Sequence, residues 1–510
     1  MEHPVVICPS TLTRTCTRTV SLHERFSLAR RNAGYPPIIV IAVAYPTSSA
    51  LPTTAFLSQR VVRLQRHFPS LWSRIDGERT TKPRLVQLKE PWSPEDILST
   101  GAYTPALSTK EKVNDDGRNG RDEEFETILK AESDRMGNDG EVLRSSPAPA
   151  WQVRIHTPAS SSSTRAYLTL AVDHVYTDGR GILSLLQALL APGDISTTSP
   201  PYPYEKLSAI PKVEDTLPMK PSVGYILPLI FQKIVLPMFP HFIQNYLKPI
   251  SPWPAKVIRE APLRCSPGLS VYSVPASEVT AVKTLSKEKG IPTLHGLFKT
   301  ALVGAIWAVY RHTTTEPKFI VSASTPRSER DPALGHPYCM GNYISSHKIH
   351  LELAASQDFW ALAKKVSDDL LDPRAISHGR MGMGSLAFVP DGELDGGKDP
   401  RKPTKWEEFF LNGAASAEPF GESANVSNLG VCKLPEGAED LVWGQYASPF
   451  TAALCIAMIG HEGGLRLVTT WREGSAVIES ETKEVERAFH RILKRLIDAQ
   501  KDTSLAALAL

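Results

Sequence analysis

The chain has 510 residues, 42% of them hydrophobic and 22% charged, with a formal net charge of +3. This length allows two to four domains with large cores, and the small net charge argues against a nucleic-acid partner. Proline, at 42 residues, is about 8% of the chain against a usual share of about 5%, which excludes long-helix and collagen-like folds and leaves a mixed α/β protein with many connections.

The first part of the chain predicts alternating helices and strands. A continuous apolar run at residues 38–44 is typical of a buried strand, and apolar residues at helical spacing follow it at 53–67. Further helices are predicted at 21–33, at 125–136 and from Gly179 onward, and further strands at 151–156 and 167–172. Residues 113–124 are predicted to form a charged loop.

Residues 192–267 differ from the rest because they hold 15 of the 42 prolines. We interpret them as a proline-rich connection between an N-terminal lobe, 1–191, and a C-terminal lobe, 268–510. In the second lobe, strands are predicted at 269–274, 319–324, 342–351, 423–427, 450–459 and 465–471, and helices at 277–289, 293–310, 357–371 and 477–497. The glycine-rich run from Gly379 to Gly384 lacks a strand-turn-helix setting, so we assign 379–403 to a loop.

The cysteines and the start of the chain give expectations about metals and location. The six cysteines are scattered without a CxxC pair, so neither a disulfide framework nor a structural zinc site is expected, and reduced thiols fit an intracellular protein. His347 and His350 would face opposite sides of a strand, which also argues against a metal site. The first 20 residues lack the apolar core of a secretory signal, and prolines and polar residues interrupt the apolar stretch 223–247. We therefore expect a cytoplasmic protein with no membrane-spanning helix.

The motif that carries chemistry is His174-x-x-x-Asp178-Gly179, at the junction of a predicted strand and a predicted helix. His174 shares a strand face with three preceding apolar residues, so its imidazole is expected to point inward. An imidazole can accept and return a proton near neutral pH. Two alternatives stand beside this interpretation: His174 as a hydrogen-bonded core residue, and Asp178 as no more than the N-cap of the following helix.

These features resemble the CoA-dependent acyltransferase superfamily, which has the chloramphenicol acetyltransferase-like fold, and within it the fungal alcohol O-acetyltransferase branch. The His-x-x-x-Asp-Gly motif after a strand carries the resemblance. Further segments support it in the same order along the chain: residues 22–45, 149–153, 324–327 with 340–343, and 427–430. Condensation domains usually have a second histidine where this chain has Asp173, and the Asp-Phe-Gly-Trp-Gly element of the plant acyltransferases is absent.

The resemblance implies an α/β protein of two lobes, each an α+β two-layer sandwich, with the active-site tunnel between them. It implies that His174 is the general base of direct acyl transfer. Asp178 would turn away from the substrate and pair with Arg327, which holds the loop in shape, and Gly179 would be a structural part of the motif. The alternative for Arg327 is a surface charge in a charged loop.

The resemblance also implies the substrates. Acetyl-CoA or another acyl-CoA would be the co-substrate, with no tightly bound cofactor and no metal, and the sequence does not identify the residues that bind CoA. The acceptor would be a lipophilic alcohol such as a terpenoid, sterol or fatty alcohol in secondary metabolism. Ser427 or Asn428 would donate to the oxyanion, unless the two form an ordinary turn at a strand end. A monomer is expected because one chain holds both lobes.

Two other functions are retained as alternatives: an amide-forming, condensation-like enzyme, and a catalytically silent relative that binds an acylated or lipidic ligand. Apolar side chains are concentrated at residues 226–243 within the proline-rich connection. They are expected to cover an acceptor channel, to rest on a membrane surface as a peripheral contact, or to pack between the lobes.

Overall fold

In this computed structural model the described residues are 17–49, 51–105, 120–138, 148–160, 163–193, 206–240, 243, 246–247, 250–255, 257–314, 316–392, 403–498 and 501–510. Two of the cysteines, Cys8 and Cys16, lie outside this part of the chain, as do most of the charged loop and parts of the proline-rich connection and of the 379–403 loop.

The described residues form fourteen strands. They are β1 (Thr17–Thr19), β2 (Ile38–Pro46), β3 (Ser73–Asp76), β4 (Arg84–Gln87), β5 (Leu98–Tyr103), β6 (Trp151–Pro158), β7 (Arg165–Asp173), β8 (Pro267–Pro275), β9 (Phe319–Ser328), β10 (Ile344–Leu353), β11 (Glu422–Val431), β12 (Asp440–Gln445), β13 (Ala452–His461) and β14 (Gly464–Arg472).

The α-helices of the described residues are α1 (Leu22–Asn32), α2 (Thr54–His67), α3 (Pro94–Ile97), α4 (Glu123–Asn138), α5 (Gly179–Leu190), α6 (Val213–Thr216), α7 (Val223–Ile230), α8 (Ala276–Glu288), α9 (Leu294–Tyr310), α10 (Phe359–Leu371), α11 (Pro373–Gly384), α12 (Lys405–Ala414), α13 (Glu479–Ile497) and α14 (Leu505–Ala509). Single 3₁₀ turns lie between them, including Pro69–Trp72, Pro332–Leu334 and Ser385–Phe388.

The first lobe is built on a five-stranded sheet in the order β12-β2-β7-β6-β5. Strands β2 and β7 pair antiparallel, with Ile38 opposite Asp173, and both are buried almost along their whole length. This explains why their sequences are continuous apolar runs rather than alternating ones. Helices α2, α4 and α5 contribute apolar side chains to the same core.

The second lobe is built on a six-stranded sheet in the order β10-β9-β11-β13-β14-β8. Strand β11 runs parallel to both β9 and β13, while the other pairs are antiparallel. The core helix is α9, which is buried nearly all round and packs with α10 and α13. A helix that is buried on every side is expected to be apolar on every side, as α9 is.

The two lobes share a strand. Strand β12 comes from the second half of the chain but pairs antiparallel with β2, with Trp443 opposite Ile41, and so forms the edge of the first lobe's sheet. Trp443 is fully buried, and its indole N–H donates to the Met458 carbonyl oxygen at 2.9 Å. This strand was not predicted from the sequence.

The glycine-rich run was predicted to be a loop, and this prediction is wrong for residues 379–384, which belong to helix α11. Asp372 caps the helix by accepting from the Arg374 backbone N–H, and Pro373 occupies its first turn. A Cβ on Gly379 would lie 2.7 Å from the Ser346 carbonyl oxygen, and one on Gly384 would overlap the Met219 carbonyl oxygen. The glycines permit close approach to neighbouring backbone, which outweighs their low helix propensity.

Candidate active site

His174 lies at the entrance to a turn that the sheet positions. Strand β7 ends at Asp173, and the His174 backbone N–H donates to the Pro37 carbonyl oxygen at 2.8 Å, just before β2 begins. Four residues later α5 starts, with Asp178 as its N-cap. The imidazole is buried in the fold but lines a cavity of about 710 Å³. That volume is within the range typical of small-molecule sites.

Asn342, from the loop before β10, fixes the tautomer of His174. Its side-chain N–H groups donate to the His174 carbonyl oxygen at 2.8 Å and to the Val175 carbonyl oxygen at 3.1 Å. The amide oxygen of Asn342 therefore faces His174 Nδ1, at 3.1 Å, and must accept from it. The proton of a neutral imidazole is then on Nδ1, which leaves the lone pair on Nε2 available to the cavity.

The electrostatic surroundings keep His174 neutral. Burial lowers its pKa below the ordinary histidine value, and the nearby positive charge of Arg30 lowers the pKa further. His23 lies beside it, with ring centroids 5.2 Å apart, and its own pKa is lowered well below the ordinary value, first by burial and then by His174 and Arg30. Two neutral imidazoles thus share one wall of the cavity.

Asp178 uses both carboxylate oxygens. Oδ1 accepts from the Gly181 backbone N–H at 2.7 Å, the usual contact of a helix N-cap. Oδ2 accepts from the Tyr343 backbone N–H at 2.9 Å and from Arg330 Nη2 at 2.8 Å. Asp178 is therefore the N-cap of α5, as the alternative interpretation expected, but this accounts only for Oδ1. Its Oδ2 connects α5 to the second lobe.

The prediction that Arg327 pairs with Asp178 is wrong, since Arg330 takes that place. The Arg330 guanidinium also donates to the carbonyl oxygens of Met340 at 2.7 Å and Gly341 at 2.9 Å, and its side chain is 9% exposed. Arg327 is 41% exposed and lies 3.6 Å from Glu329. Strand β9 continues to Ser328, four residues beyond its predicted end, so the chain turns later than expected.

Asp173, which stands where condensation domains usually have a histidine, is a structural acid. Its Oδ2 accepts from Arg31 Nη1 at 2.8 Å, and its Oδ1 accepts from the Val175 backbone N–H at 2.9 Å. Arg31 is also paired with Glu78 at 2.5 Å. Both oxygens of Asp173 are occupied by holding the turn, so it is not positioned as a second base.

Gly179 lies where a side chain would crowd its neighbours. A Cβ there would lie 2.9 Å from Leu429 Cδ2 and 3.3 Å from the Trp443 ring. Both neighbours come from the second half of the chain. The glycine of the motif therefore allows the start of α5 to approach the shared strand β12.

The two oxyanion candidates face different ways, because they are adjacent on strand β11. Ser427 lines the cavity, together with Asn425 two residues before it. Asn428 points to the other side, where its amide nitrogen lies 3.4 Å from His295 Nδ1 and its amide oxygen accepts from the Gly430 backbone N–H. The structure therefore brings Ser427, but not Asn428, into the cavity with His174.

The cavity residues of helix α1 were not predicted from the sequence. His23, Phe26 and Arg30 are spaced three and four residues apart, so they share one helix face, and all three line the cavity. The spacing was visible in the sequence, but nothing there indicated that this face meets the His174 turn. Asn342 and Arg330 were likewise missed as site residues, since their contacts with residues 174–178 bridge more than 150 positions along the chain.

The described residues contain neither a metal-binding cluster nor a helix that could span a membrane. No group of three or more His, Cys, Asp or Glu side chains there could hold a metal ion. His347 instead lies 2.7 Å from Asp369 Oδ2. Within the same part of the chain, every helix is too short or too polar to cross a lipid bilayer.

No protein-family model matches the chain, and no curated protein matches it by sequence. Solved structures do match by shape. The TRI3 trichothecene 15-O-acetyltransferase from Fusarium sporotrichioides is 11% identical, with a TM-score of 0.59 over 93% of this chain and 94% of that one. The EpoB cyclization-docking bidomain of a nonribosomal peptide synthetase from Sorangium cellulosum is 14% identical, with a TM-score of 0.59 over 98% and 88%.

A third match is the condensation domain of the Monacolin K polyketide synthase MokA, 9% identical, with a TM-score of 0.57 over 96% and 99% of the two chains. These identities are low, but the matches extend over nearly the whole of both chains. Together with the two sheet-containing lobes, they establish that the chain has the two-lobed α/β fold that CoA-dependent acyltransferases share with condensation domains.

Proposed function

We propose that the protein is an acyl-CoA-dependent O-acyltransferase, most simply an acetyltransferase, that acts on an alcohol bound in the cavity beside His174. The observation that carries this proposal is the Asn342 contact, which leaves the lone pair of His174 Nε2 facing the cavity. The structural similarity to a trichothecene 15-O-acetyltransferase supports acyl transfer to an alcohol as the class of reaction.

In the proposed reaction, His174 Nε2 accepts the proton of the acceptor hydroxyl as its oxygen attacks the thioester carbonyl carbon. A tetrahedral oxyanion forms, and Ser427, which lines the cavity, donates to it in this proposal. When the oxyanion collapses, the C–S bond breaks. The CoA thiolate takes the proton back from His174, and the products are an ester and CoA. No covalent acyl-enzyme is required.

Cations at the cavity rim suit the phosphates of the co-substrate. Lys348 and Arg374 line the cavity and are exposed on β10 and α11. Lysine and arginine side chains are the usual partners of phosphate groups. We therefore propose that acyl-CoA enters from this rim and that the alcohol occupies the end nearer α1.

The apolar segment (residues 223–247) supports a lipophilic acceptor and a peripheral membrane contact. Tyr225 of α7 lines the cavity, so the segment borders the site. None of the residues of α7 is buried, which contradicts the alternative that α7 packs between the lobes. A cytoplasmic monomer that takes its alcohol from a lipid surface fits these features.

The experiment that tests the function measures thiol release from acetyl-CoA with a panel of alcohols. We expect turnover with at least one alcohol, and a loss of at least about 100-fold in kcat for His174→Ala, the low end of general-base contributions. His312→Ala, which removes an exposed histidine, is the matched control and should retain activity. Full activity of His174→Ala would refute the mechanism, and amide formation with the matching amines at a higher rate would favour the condensation-like alternative.

A further inference from the structure

Two consecutive arginines of helix α1 have opposite surroundings. Arg31 is paired with two carboxylates, Asp173 and Glu78. Arg30 is only 5% exposed, yet no carboxylate of the described residues forms an ion pair or hydrogen bond with its guanidinium. Its Nε is buried without a hydrogen-bond partner. A buried charge is costly to leave without a counter-charge, so this arrangement calls for an explanation.

The groups around Arg30 include no carboxylate that is free to pair with it. His23 and His174 are neutral imidazoles, because burial lowers the pKa of each. The Cys455 thiol, on the facing strand β13, is neutral as well, because burial raises its pKa. Asp173, whose negative charge favours the protonated form of Arg30 and raises its pKa, has both oxygens engaged by Arg31 and Val175. Arg30 itself stays protonated at neutral pH, although burial lowers its pKa to about 10.

The acidic residues elsewhere in the cavity wall are engaged with other partners. Asp369 pairs with His347, Asp372 caps α11, and Glu422 lies 3.7 Å from Lys348. None of these carboxylates is available to neutralise Arg30. The cavity therefore presents, close to the proposed base, a guanidinium that no carboxylate pairs with directly.

We propose that Arg30 binds a carboxylate of the acceptor, so that the substrate is a hydroxy acid rather than a neutral alcohol. This inference rests on the proposed function and names its substrate class. The Phe26 ring packs 5.3 Å from the guanidinium carbon, which covers one face and leaves the N–H edge for a planar acceptor. A single guanidinium matches one carboxylate in a two-point contact.

The position of Arg30 along α1 indicates which end of the proposed substrate it contacts. Along the axis of α1 the backbone of Arg30 lies two turns, about 10 Å at 1.5 Å per residue, from that of His23, and the ring of His23 is adjacent to that of His174. The carboxylate is held on one side of the base while the hydroxyl lies at Nε2. The apolar part of the acceptor spans the distance between them along the cavity, next to Phe26 and Leu386.

The test measures binding without acetyl-CoA, so that it does not depend on turnover. Straight-chain ω-hydroxy acids, from hydroxybutanoate to hydroxydodecanoate, are titrated beside their methyl esters, with Kd taken from the shift in thermal unfolding. We expect at least one acid to bind about tenfold to a hundredfold more tightly than its ester, the range of one charge-assisted hydrogen-bonded contact. Arg30→Gln should remove that difference, and Arg30→Lys should retain part of it.

Arg25→Gln is the matched control, because Arg25 is on the same helix but pairs with Asp391 and does not line the cavity. It should leave the acid preference unchanged. Equal binding of acids and esters by the unmodified protein across the series, or a preference that survives in Arg30→Gln, would overturn the proposal.

Kinetics with acetyl-CoA separate this proposal from the proposed function. An acid preference in binding without any acyl transfer would keep the role of Arg30 and reject the acyltransferase. Acyl transfer to esters and acids at equal kcat/KM would keep the acyltransferase and reject the role of Arg30. If Arg30→Gln lowered kcat alike for acids and esters without changing KM, Arg30 would act on the developing oxyanion, and the carboxylate assignment would be wrong.

Discussion

Asp178 shows how one side chain can join local and long-range structure. Its Oδ1 caps helix α5, and its Oδ2 receives Arg330 from the other lobe. Arg330 in turn donates to carbonyl oxygens of the loop that carries Asn342, the residue that orients His174. The ion pair is therefore coupled to the tautomer of the base through a short series of hydrogen bonds.

This coupling predicts that Arg330 and Arg327 behave differently. Arg330→Ala removes one partner of a buried ion pair and should cost about 3–5 kcal/mol of unfolding free energy, with most of the activity lost. Arg327→Ala removes a half-exposed side chain and should change stability by less than about 0.5 kcal/mol. Denaturant unfolding of both variants measures this, and equal effects would contradict the assignment of Arg330.

The lowered pKa of His174 predicts the pH dependence of the reaction. A protonated imidazole cannot accept the hydroxyl proton, so kcat/KM should fall as the pH drops through the pKa of His174. Burial and Arg30 place that pKa below the ordinary histidine value, about 6.5. We expect the acid limb of the pH–rate profile below pH 6.5, and a limb above it would show that His174 is not desolvated in the free enzyme.

At the scale of the element, helix α11 shows that close neighbouring backbone can require glycine inside a helix. Two of its three glycines, Gly379 and Gly384, meet backbone carbonyls of β10 and of the proline-rich connection, which leave no space for a Cβ. The helix forms despite them because Asp372 and Pro373 start it and because its close packing compensates for low propensity.

Two matched substitutions test this explanation. Gly384→Ala should destabilise the protein by about 1–3 kcal/mol, because the new methyl group would overlap the Met219 carbonyl oxygen. Gly413→Ala, in helix α12 with no atom within 4 Å of the new Cβ, should be neutral or stabilise by up to about 1 kcal/mol. Thermal unfolding of the two variants is the measurement, and a stable Gly384→Ala would show that α11 can move aside.

The sequence predicted those elements whose signal is local. The apolar run of β2 and the helical spacing of α5 each depend on neighbouring residues, and both elements are confirmed. His174 was predicted as a site residue from its motif and strand alternation, and Ser427 from the resemblance. Both line the cavity. The partner of Asp178, strand β12 and helix α11 were not predicted correctly, because each depends on a contact with a distant part of the chain.

At the scale of the whole molecule, the exposed apolar side chains are concentrated in one segment. Within the apolar segment, Val223 is 74% exposed, Met238 81% and Tyr246 88%. Exposed large apolar residues that occur singly are ordinary, whereas a group of them marks an interaction surface. Its position beside the cavity fits delivery of a lipophilic substrate from a membrane.

Vesicle sedimentation tests this contact. The protein should pellet with phosphatidylcholine vesicles, and the double variant Met238→Asp/Tyr246→Asp should bind them at least about tenfold more weakly, because two large apolar side chains no longer leave water. Val431→Asp changes an equally exposed residue outside the segment and should bind like the unmodified protein. Sedimentation that is absent, or unaffected by the double variant, would refute the membrane contact.

The shared strand also has a consequence for the order of events during synthesis. Strands β2 and β7 are made before β12, which completes their sheet and follows β7 by about 270 residues. At about 5–20 residues per second, that interval is roughly 15–50 s. Throughout it, the outer edge of β2, an apolar strand, has no partner and is open to pairing with other chains. The protein is thus exposed to aggregation while it is being made, and its His174 site becomes complete only after Asn342 and Ser427 of the second lobe have been made.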